Sequence, residues 1–350
     1  MAKVTYLLGA GASADCIPVN DGLEKDITKR FLPFLDKYIR SKNVHLKKPK
    51  LLSDIQSFDK IITGNPTVDI LAKQFFSRGQ SNKLEELKKW LTIYFHFLQY
   101  TKDPDQRYNR FLAVITGNKF AEVVLRPNVK VITWNYDMQF EIALSKYISG
   151  EEQSMEQLQK ILGVFPRVTM SIAQLMLGDD IEIYTPNQFQ IVRLNGTAGV
   201  YPIEDNSSFQ THFDVMKTNY RKGGSEGELT PDQLENLLFE YDGMHKYITT
   251  LSYAWEIPPE ENQGLKLAKQ IANETEVLVV IGYSFPAVNR IFDDEIFKKM
   301  NKVERIIIQD PFMDKSNFEY IKSRLENIVP VDLRGKITYR DIKHEFILPE

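Results

Sequence analysis

Cysteine is almost absent from this sequence: Cys16 is the only one among 350 residues. A single thiol excludes a disulfide within the chain. It equally excludes a structural zinc site built from four thiolates, so we expect no zinc.

Long hydrophobic runs and an excess of one charge are also lacking. Apolar stretches such as Val277–Ile281 are far shorter than the roughly 18 residues that a membrane span requires. The net charge of -3 gives no basic field for binding nucleic acid through bulk electrostatics. The first strand-like run begins near Lys3, and we expect no signal peptide before it. We therefore expect a cytoplasmic protein that binds neither membranes nor nucleic acid directly.

Short apolar runs that end in small or polar residues are the main secondary-structure signal. The first, fourth and fifth are almost continuous in valine, isoleucine and leucine, a pattern typical of strands buried on both faces of a parallel sheet. An additional edge strand is predicted at ITYRDI from Ile337. The sequence thus predicts an α/β, Rossmann-like fold with a mostly parallel sheet and helices on both faces. The five runs are VTYLLG at the start, VKVITWNYD from Val129, QIVRLNG from Gln190, EVLVVIGYS from Glu276 and VERIIIQDP from Val303.

Two long stretches with helical texture interrupt these strands. In the first, KLEELKKWLTIYFHFLQY places apolar residues at spacings of three and four, which predicts an amphipathic helix. In the second, the loop at 220–233 is the predicted mobile segment. We predict a single domain over 1–350. Its parts are a core from about 1–24, 126–149, 188–200 and 275–350, a helical insertion at 25–125, and a helical and irregular module at 150–275 that contains the motif strand at 190–197.

The stretch GAGASA at residues 9–14 follows the first strand directly and fits the pattern G-x-G-x-x-A. Small residues at such a turn let the backbone approach a pyrophosphate, and the first turn of the next helix directs free N–H groups at the negative charge. The pattern and its position after a strand favour a dinucleotide site. A tight strand-to-helix turn without a ligand is the alternative.

Pro18 interrupts the helix expected after this turn, and the segment 22–38 reads as the next helix. A dehydrogenase would continue instead with a full crossover helix, a second strand and an acidic residue about 20 positions on that holds the adenosine ribose. No such strand and acidic residue follow in the sequence. The pattern therefore disfavours a nicotinamide-dependent oxidoreductase.

The stretch TWNYD at residues 133–137 lies at the end of the second predicted strand. Asparagine and aspartate are poor strand formers, yet they suit the rim of a ligand site, where an amide donates and accepts hydrogen bonds and a carboxylate accepts them. Helix capping is the alternative, because Asn135 or Asp137 could cap the helix that begins MQFEIALSKY. Spacing alone leaves both interpretations open.

Five stretches taken together, GAGAS, CIP, TWNYD, RLNGT and VIGYS, resemble the sirtuin superfamily. The closer resemblance is to the sirtuin-like NAD-cleaving domains of bacterial antiphage defence systems. The stretches occur in the order typical of that family and span residues 7–284, whereas the helical regions between them contribute nothing to the resemblance. The resemblance implies a Rossmann-like sheet that binds NAD+ as a substrate beside a small helical module.

The resemblance also implies roles for individual residues. Asp15 and Pro18 would lie in a loop that closes over the nicotinamide half. Asn135 would orient a water or a ribose hydroxyl at the scissile carbon, and Asp137 would contact the nicotinamide side. The pyrophosphate would be lined by Gly9, Ala10, Gly11 and Ser13. Gly282 and Ser284 would meet the phosphates or the adenosine ribose. Gln309 or Asp310, at the next strand end, would lie near the adenosine end.

Two departures from the family pattern matter. Protein-deacetylating members carry a four-cysteine zinc module, which a chain with one cysteine cannot build, and lysine deacylation is therefore disfavoured. The second departure is Asn195 in RLNGT, which occupies the position of the family's catalytic histidine. Activating a ribose hydroxyl or water suits a group that titrates near neutrality, such as histidine. An asparagine amide can hold a hydroxyl but cannot take its proton, and loss of a general base costs about 100- to 10,000-fold in rate.

Three interpretations of Asn195 stay open from the sequence. Either the position has diverged and Asn135 and Asp137 sustain slow hydrolysis, or the protein binds NAD+ without cleaving it, or the histidine was replaced to trap the cofactor. His212 is the nearest other histidine in the sequence, but a lone histidine is more often structural.

The leading hypothesis is an NAD+ glycohydrolase that releases nicotinamide and ADP-ribose. The resemblance implies that it acts as the effector of an antiphage defence system, in an abortive infection that depletes NAD+. Such an effector stays inactive until it is triggered, which implies a homo-oligomer or a partner protein that carries a sensor or an ATPase. The alternative hypothesis is a noncatalytic NAD- or nucleotide-binding subunit of a defence assembly.

Overall fold

The computed structural model describes residues 1–19, 21–41, 48–64, 67–119, 122–148, 155–167, 184–198, 229, 237, 241, 251–310 and 315–349. His212 lies outside these residues, as do almost all of the loop at 220–233 and much of the module predicted at 150–275. The predicted domain boundaries stay a prediction.

Seven strands of the described residues form one parallel sheet with the order β5-β6-β4-β1-β7-β8-β9. β2 and β3 form a separate antiparallel hairpin. The six strands predicted from the sequence are all present, and the predicted α/β, Rossmann-like class is confirmed. The strands are β1 (Val4–Leu8), β2 (Thr116–Lys119), β3 (Glu122–Leu125), β4 (Val129–Thr133), β5 (Val164–Phe165), β6 (Gln190–Arg193), β7 (Val277–Ile281), β8 (Arg305–Gln309) and β9 (Ile337–Arg340).

Helices cover both faces of this sheet. α6, α7 and α8 pack on one face, and α9 to α12 pack on the other. Among the described residues, no helix combines the length and the hydrophobicity that a bilayer span needs. The helices are α1 (Asp21–Asp26), α2 (Leu32–Ser41), α3 (Lys48–Ile62), α4 (Val68–Ser77), α5 (Ser81–Thr101), α6 (Gln106–Ile115), α7 (Gln139–Tyr147), α8 (Met155–Ile161), α9 (Gln263–Glu274), α10 (Arg290–Phe297), α11 (Lys315–Glu326) and α12 (Val331–Arg334).

Two hydrophobic cores, one on each face, hold the helices to the sheet. Successive side chains of a strand point to opposite faces. Tyr6 and Val131 therefore pack in the core under α6 to α8, whereas Leu7 and Ile132 pack in the core under α9 and α10. Burial on both faces explains why these strands read as nearly continuous apolar runs in the sequence.

The helices α1 to α5 form a helical module with its own core. The predicted amphipathic helix is α5, and it begins at Ser81 and ends at Thr101. The module reaches the carboxyl end of the sheet through Phe95, whose ring centroid lies 4.9 Å from that of Tyr136. Tyr253 belongs to the same core. The module therefore packs beside the strand ends that carry the polar motifs.

The strand order reverses next to β1. From β1 the chain enters β4 and continues outward to β5 and β6, and it later crosses to β7 on the other side of β1. In open α/β sheets, ligands bind at such a switch point, beyond the carboxyl ends of the strands. Because Leu8 pairs with Ile281, Gly9 and Gly282 leave the sheet side by side.

Candidate functional site at the carboxyl edge of the sheet

The two glycine turns after β1 and β7 pack backbone against backbone. The Gly9 amide donates to the Ile281 carbonyl and the Gly11 amide to the Gly282 carbonyl, both at 3.0 Å. A Cβ on Gly9 would lie 2.6 Å from the Gly282 oxygen, and one on Gly282 would lie 2.2 Å from the Ala12 nitrogen. Gly282 also has φ of +60°, which L-residues with a side chain rarely adopt. Close approach of these two turns therefore requires glycine at both.

The helix after the first glycine turn is a single 3-10 turn, Ala10–Ser13. The Ala12 amide donates to the Gly9 carbonyl at 2.9 Å, and the Gly11 amide is already bonded to Gly282. These two donors are therefore engaged within the protein in this conformation and do not point at a ligand. Ala10 is exposed at the tip of the turn. The glycines thus allow the close contact between the two turns. This contact alone accounts for the small residues of the glycine turn and requires no bound phosphate.

Ser13 joins the glycine turn to the TWNYD stretch through buried hydrogen bonds. Its Oγ donates to Asp137 Oδ2 at 2.9 Å. Because a serine hydroxyl carries one proton, the Tyr108 hydroxyl donates to Ser13 Oγ at 2.8 Å. The Asn135 Nδ2 donates to the Gly9 carbonyl at 2.9 Å and approaches Ser13 Oγ at 3.4 Å. The structure therefore brings Gly9, Ser13, Asn135 and Asp137 together.

Asp137 both caps a helix and lines the site. Its Oδ1 accepts from the Gln139 amide at 3.1 Å, at the start of α7. Burial is the main cause that raises the pKa of its carboxyl to about 6, an effect that the Arg193 guanidinium partly offsets. A carboxyl with this pKa exchanges its proton near neutrality. Helix capping and a place at the rim of a ligand site, the two interpretations left open for Asp137, are therefore compatible.

Asp105 and Arg107, at the N terminus of α6, support the glycine turn, and no local sequence pattern predicts this role. The Arg107 Nη2 donates to the Ala12 carbonyl at 3.1 Å, and its Nε donates to the buried carboxylate of Asp105 at 2.9 Å. The Gln139 Oε1 accepts from the Asp105 amide at 2.8 Å and faces the Cys16 thiol at 3.2 Å. Burial raises the pKa of that thiol, so Cys16 is a packed neutral side chain and not a nucleophile.

Asp15 and Pro18 lie in the segment that follows the 3-10 turn. Asp15 is half-exposed, and its Oδ2 lies 3.8 Å from Arg107 Nε. Pro18 is partly buried. Both residues lie close in sequence to the glycine turn, but neither has a hydrogen bond that ties its side chain to Asn135 or Asp137 within the described residues.

Asn195 connects two backbone segments with its side-chain amide. Its Nδ2 donates to the Trp134 carbonyl at 3.1 Å, and its Oδ1 accepts from the Ala254 amide at 3.0 Å. The side chain is buried, with 7% of its surface exposed. Each polar atom of the amide thus has a backbone partner. Asn195 holds the end of β4 to the segment at 251–254, and its side chain is not directed at Asn135 or Asp137.

A buried ion pair lies beneath the site. Arg193 donates from both terminal nitrogens to Glu141, at 2.8 and 2.7 Å, and both side chains are almost fully inaccessible. Glu141 also accepts from Gln159 Nε2 at 3.0 Å. The pair joins β6 to α7, the helix that Asp137 caps, and so it fixes the base of the site.

The end of β7 presents Ser284 to solvent, whereas Tyr283 is buried. The Tyr283 hydroxyl donates to Asp293 Oδ2 at 2.8 Å and accepts from Asn289 Nδ2 at 3.2 Å. Burial raises the pKa of Asp293 well above its usual range. This network fixes the turn after Gly282, so Ser284 is the accessible member of the second glycine motif.

Gln309 and Asp310 follow β8, one strand farther from the switch point. Gln309 is fully buried, and its Nε2 donates to the carbonyls of Ile342 and Glu345 while its Oε1 accepts from the Ile347 amide. This side chain holds the C-terminal segment and is not accessible to a ligand in this conformation. Asp310 is partly exposed, and its carbonyl accepts from the Tyr339 hydroxyl at 3.3 Å.

A separate cavity lies at the opposite, amino edge of the sheet and is lined in part by Lys3, Lys130 and Glu274. The Lys130 ammonium donates to the Thr185 and Pro186 carbonyls, and burial lowers its pKa to about 8. Its charge is therefore engaged with the backbone. Because ligands of open α/β sheets bind at the carboxyl edge, we assign the candidate site to the glycine turns.

Within the described ranges, no cluster of three or more histidine, cysteine, aspartate or glutamate side chains could hold a metal ion. The histidines in those ranges are His96 in α5 and His344 near the C terminus. Asp137 is therefore the group of the Ser13 network that titrates nearest neutrality.

The chain is similar to solved structures of Sir2 proteins. A Sir2 variant with a deacetylated p53 peptide and 3′-O-acetyl ADP-ribose aligns at 12% identity and a TM-score of 0.38, over 97% of this chain and 88% of that one. A Sir2 homologue variant with ADP-ribose aligns at 15% identity and a TM-score of 0.38, over 95% of this chain and 86% of that one. A Sir2 homologue with NAD aligns at 13% identity and a TM-score of 0.37, over 93% of this chain and 90% of that one. No protein-family model and no curated protein matches the chain.

All three of these TM-scores lie below 0.5. The strand order and the paired glycine turns define the class: an α/β protein with a candidate ligand site at the switch point of its sheet.

Proposed function

We propose that this chain binds NAD+ at the carboxyl edge between β1 and β7 and hydrolyses its nicotinamide–ribose bond. One observation carries the proposal: the Ser13 hydrogen bonds hold Asn135 and Asp137 together at the switch point of the sheet.

The contacts of Asn135 support a role in orienting the attacking group. Its Nδ2 is fixed by the Gly9 carbonyl, whereas its Oδ1 has no hydrogen bond within the described residues. Such an oxygen can accept from a ribose hydroxyl or from water. A fixed acceptor that aligns the nucleophile lowers the barrier by supplying orientation in advance.

Asn195 limits the chemistry available to the site. Its amide has backbone partners on both sides, so it neither takes a proton nor reaches a ligand in this conformation. Nicotinamide leaves as a neutral molecule, and the bond can break without an acid. Asn195 is therefore proposed to position the strand end that carries Asn135, and not to replace the base.

The test is nicotinamide release from NAD+ by the full chain, separated and quantified by chromatography. We expect nicotinamide and ADP-ribose in equal amounts. Asn135→Ala is expected to lower the rate about 100-fold, a typical loss when one transition-state contact is removed. Asn301→Ala, at an exposed position between α10 and β8, is the matched control and should keep the rate. Equal rates in all three proteins would contradict the role of Asn135.

The proposed cellular role is that of an antiphage effector that depletes NAD+ when triggered. It rests on the sequence resemblance, as does the proposed homo-oligomer or sensor-bearing partner. Light scattering on the purified chain tests the oligomer, and NAD+ levels in infected cells that express the chain test the role. A monomer whose expression leaves NAD+ unchanged during infection would contradict both.

A noncatalytic NAD-binding subunit is the second candidate, and the contacts of Asn195 favour it. An amide held by two backbone groups leaves the site without the histidine that this chemistry commonly uses. Calorimetry that finds micromolar binding of NAD+, together with no nicotinamide release, would select this candidate. Absence of binding would remove both candidates.

A further inference from the structure

The segment at 341–348 follows β9 and has no regular secondary structure. Phe346 is buried, with 5% of its surface exposed, and belongs to the hydrophobic core that also contains the inner faces of α6 and α7. Ile347 and Leu348 pack against the same core. An irregular segment thus completes a core that is otherwise built from strands and helices.

Hydrogen bonds from three elements hold this segment in place. The side chain of Gln309, at the end of β8, bonds three backbone groups of the segment at 2.6–3.0 Å. The Tyr6 hydroxyl of β1 donates to the Ile347 carbonyl at 2.6 Å, and the Arg110 guanidinium of α6 donates to the His344 carbonyl. Bonds to two strands and a helix therefore fix the position of the segment and of its buried aromatic ring.

The Phe346 ring packs against two consecutive residues of α6. Its centroid lies 5.1 Å from that of Tyr108, with the two rings inclined at 71°, and 5.9 Å from the guanidinium carbon of Arg107. The Tyr108 ring also meets the Phe140 ring of α7, at 4.7 Å and 85°. Aromatic pairs prefer such edge-to-face geometry, so these two contacts set the orientation of the Tyr108 ring.

Arg107 and Tyr108 each hold one of two consecutive residues of the first glycine turn. The Arg107 Nη2 donates to the Ala12 carbonyl at 3.1 Å, and the Tyr108 hydroxyl donates to Ser13 Oγ at 2.8 Å. Ser13 Oγ donates in turn to Asp137 Oδ2 at 2.9 Å. A chain of direct contacts therefore runs from the buried ring of the segment to a carboxyl of the candidate site.

The Tyr108 hydroxyl determines where the Ser13 hydroxyl directs its proton. Serine carries one proton and two lone pairs, and a donor that occupies a lone pair leaves the proton for an acceptor. The Tyr108 bond therefore supports the bond from Ser13 to Asp137. Without it, the Ser13 hydroxyl would be free to rotate away from the carboxyl.

We propose that Phe346 is a positioning residue for the candidate site: its ring, docked on α6, orients the Tyr108 hydroxyl and thereby the bond from Ser13 to Asp137. The expected effect on rate rests on the proposed hydrolysis. Phe346 acts through Tyr108 and takes no part in the chemistry itself. Release of the segment would therefore slow turnover without removing any residue of the site.

A double-mutant cycle on nicotinamide release tests this connection in the full chain. Phe346→Ala removes the ring, Tyr108→Phe removes only the hydroxyl, and the double variant removes both. We expect each single variant to lower kcat by roughly 10- to 100-fold, the scale of loss caused by misplacement of about 1 Å in a site. The double variant should be no slower than the slower single variant, because both changes break the same connection. Independent effects would instead multiply to about 100- to 10,000-fold.

Phe318→Ala is the matched control for removal of the ring. Phe318 in α11 meets the Tyr339 ring at the same centroid distance, 5.1 Å, beside the outermost strand β9. Its removal should leave kcat unchanged. Phe346→Leu is a milder second variant that loses the ring contact but leaves a smaller cavity, and it should show the same pattern with smaller losses. Circular dichroism checks that each variant is folded.

Hydrogen exchange in the absence of NAD+ tests the connection independently of any reaction. Peptides that cover 9–16 should exchange faster in Phe346→Ala than in the wild-type chain, because the glycine turn loses its support from α6 and opens more often. The same peptides should exchange at the wild-type rate in Phe318→Ala.

Three results would overturn the inference: Phe346→Ala keeps the wild-type kcat, the losses of the two single variants multiply in the double variant, or peptides that cover 9–16 exchange at the wild-type rate in Phe346→Ala. If Phe346→Ala does not fold, the same measurements on Phe346→Leu decide. If the wild-type chain releases no nicotinamide, the proposed hydrolysis fails, and the exchange rates alone decide whether Phe346 positions the glycine turn.

Discussion

Replacing Gly282 by alanine should disrupt the contact between the two glycine turns. The new Cβ would lie 2.2 Å from the Ala12 nitrogen and 2.4 Å from the Gly11 Cα, both backbone atoms that cannot rotate away. The positive φ adds a conformational cost of about 1–2 kcal/mol for a residue with a Cβ. Overpacking of this kind costs about 1–3 kcal/mol. We expect Gly282→Ala to lower the free energy of unfolding by about 3 kcal/mol.

Substitutions at three further glycines separate the cost of the positive φ from the cost of overpacking. Gly335→Ala has neither a positive φ nor an atom within 4 Å, and should be neutral within about 0.5 kcal/mol. Gly79→Ala has φ of +66° but open space, and should cost about 1 kcal/mol. Gly11→Ala has no positive φ, but its Cβ would lie 2.7 Å from the Gly282 Cα, and it should cost about 2 kcal/mol.

The assay is urea unfolding followed by circular dichroism, with NAD+ titrated into each folded variant by calorimetry. Gly282→Ala and Gly11→Ala should lose stability and also weaken binding, whereas Gly79→Ala should lose stability alone. If Gly282→Ala is no less stable than Gly335→Ala, the close backbone packing described for the two turns is wrong. If it is destabilised but binds NAD+ normally, the turns are structural and do not form the site.

Three other perturbations test the groups around the site by the same unfolding assay. Asn195→Ala leaves two buried backbone groups unpaired and should cost about 1–3 kcal/mol, while an unchanged stability would contradict the bridging role. Glu141→Gln removes the charged partner of buried Arg193 and should lower the free energy of unfolding by about 3–5 kcal/mol. Lys146→Met removes one partner of an exposed ion pair and should lower it by at most about 1 kcal/mol. Similar losses of stability in the two variants would contradict the buried pairing. The folded-state pKa of Asp137 is about 6, above the unfolded value of about 3.9, so its stabilisation is complete below pH 4 and is lost as pH rises through 6. The stability of wild type relative to Asp137→Asn should thus fall by about 2 kcal/mol between pH 4 and 7, and a flat difference would contradict the raised pKa.

The sheet was largely predictable because its strands carry a local signal. Runs such as Val277–Ile281 are buried on both faces and therefore read as continuous apolar segments. The hairpin of β2 and β3 was missed because TGNK at 116–119 has neither β-branched enrichment nor alternation. β5 was missed because a two-residue strand has no periodicity.

The site was predictable only where its residues follow strands. Parallel strands end at one edge, which places Gly9, Asn135 and Gly282 together once the sheet is known. Tyr108 comes from a helix, and its approach to this edge depends on long-range packing that no local pattern encodes. The backbone partners of Asn195 likewise depend on the segment at 251–254, which is far away in sequence.

Hydrogen exchange of the full chain, measured by mass spectrometry with and without NAD+, most directly tests the claim that NAD+ binds at the carboxyl edge. The account predicts slower exchange in peptides that cover 9–18, 134–138 and 282–285. Peptides that cover Lys3 and Lys130, at the opposite edge, should exchange at the same rate with and without NAD+. Protection confined to that opposite edge, or none anywhere at saturating NAD+, would contradict the account.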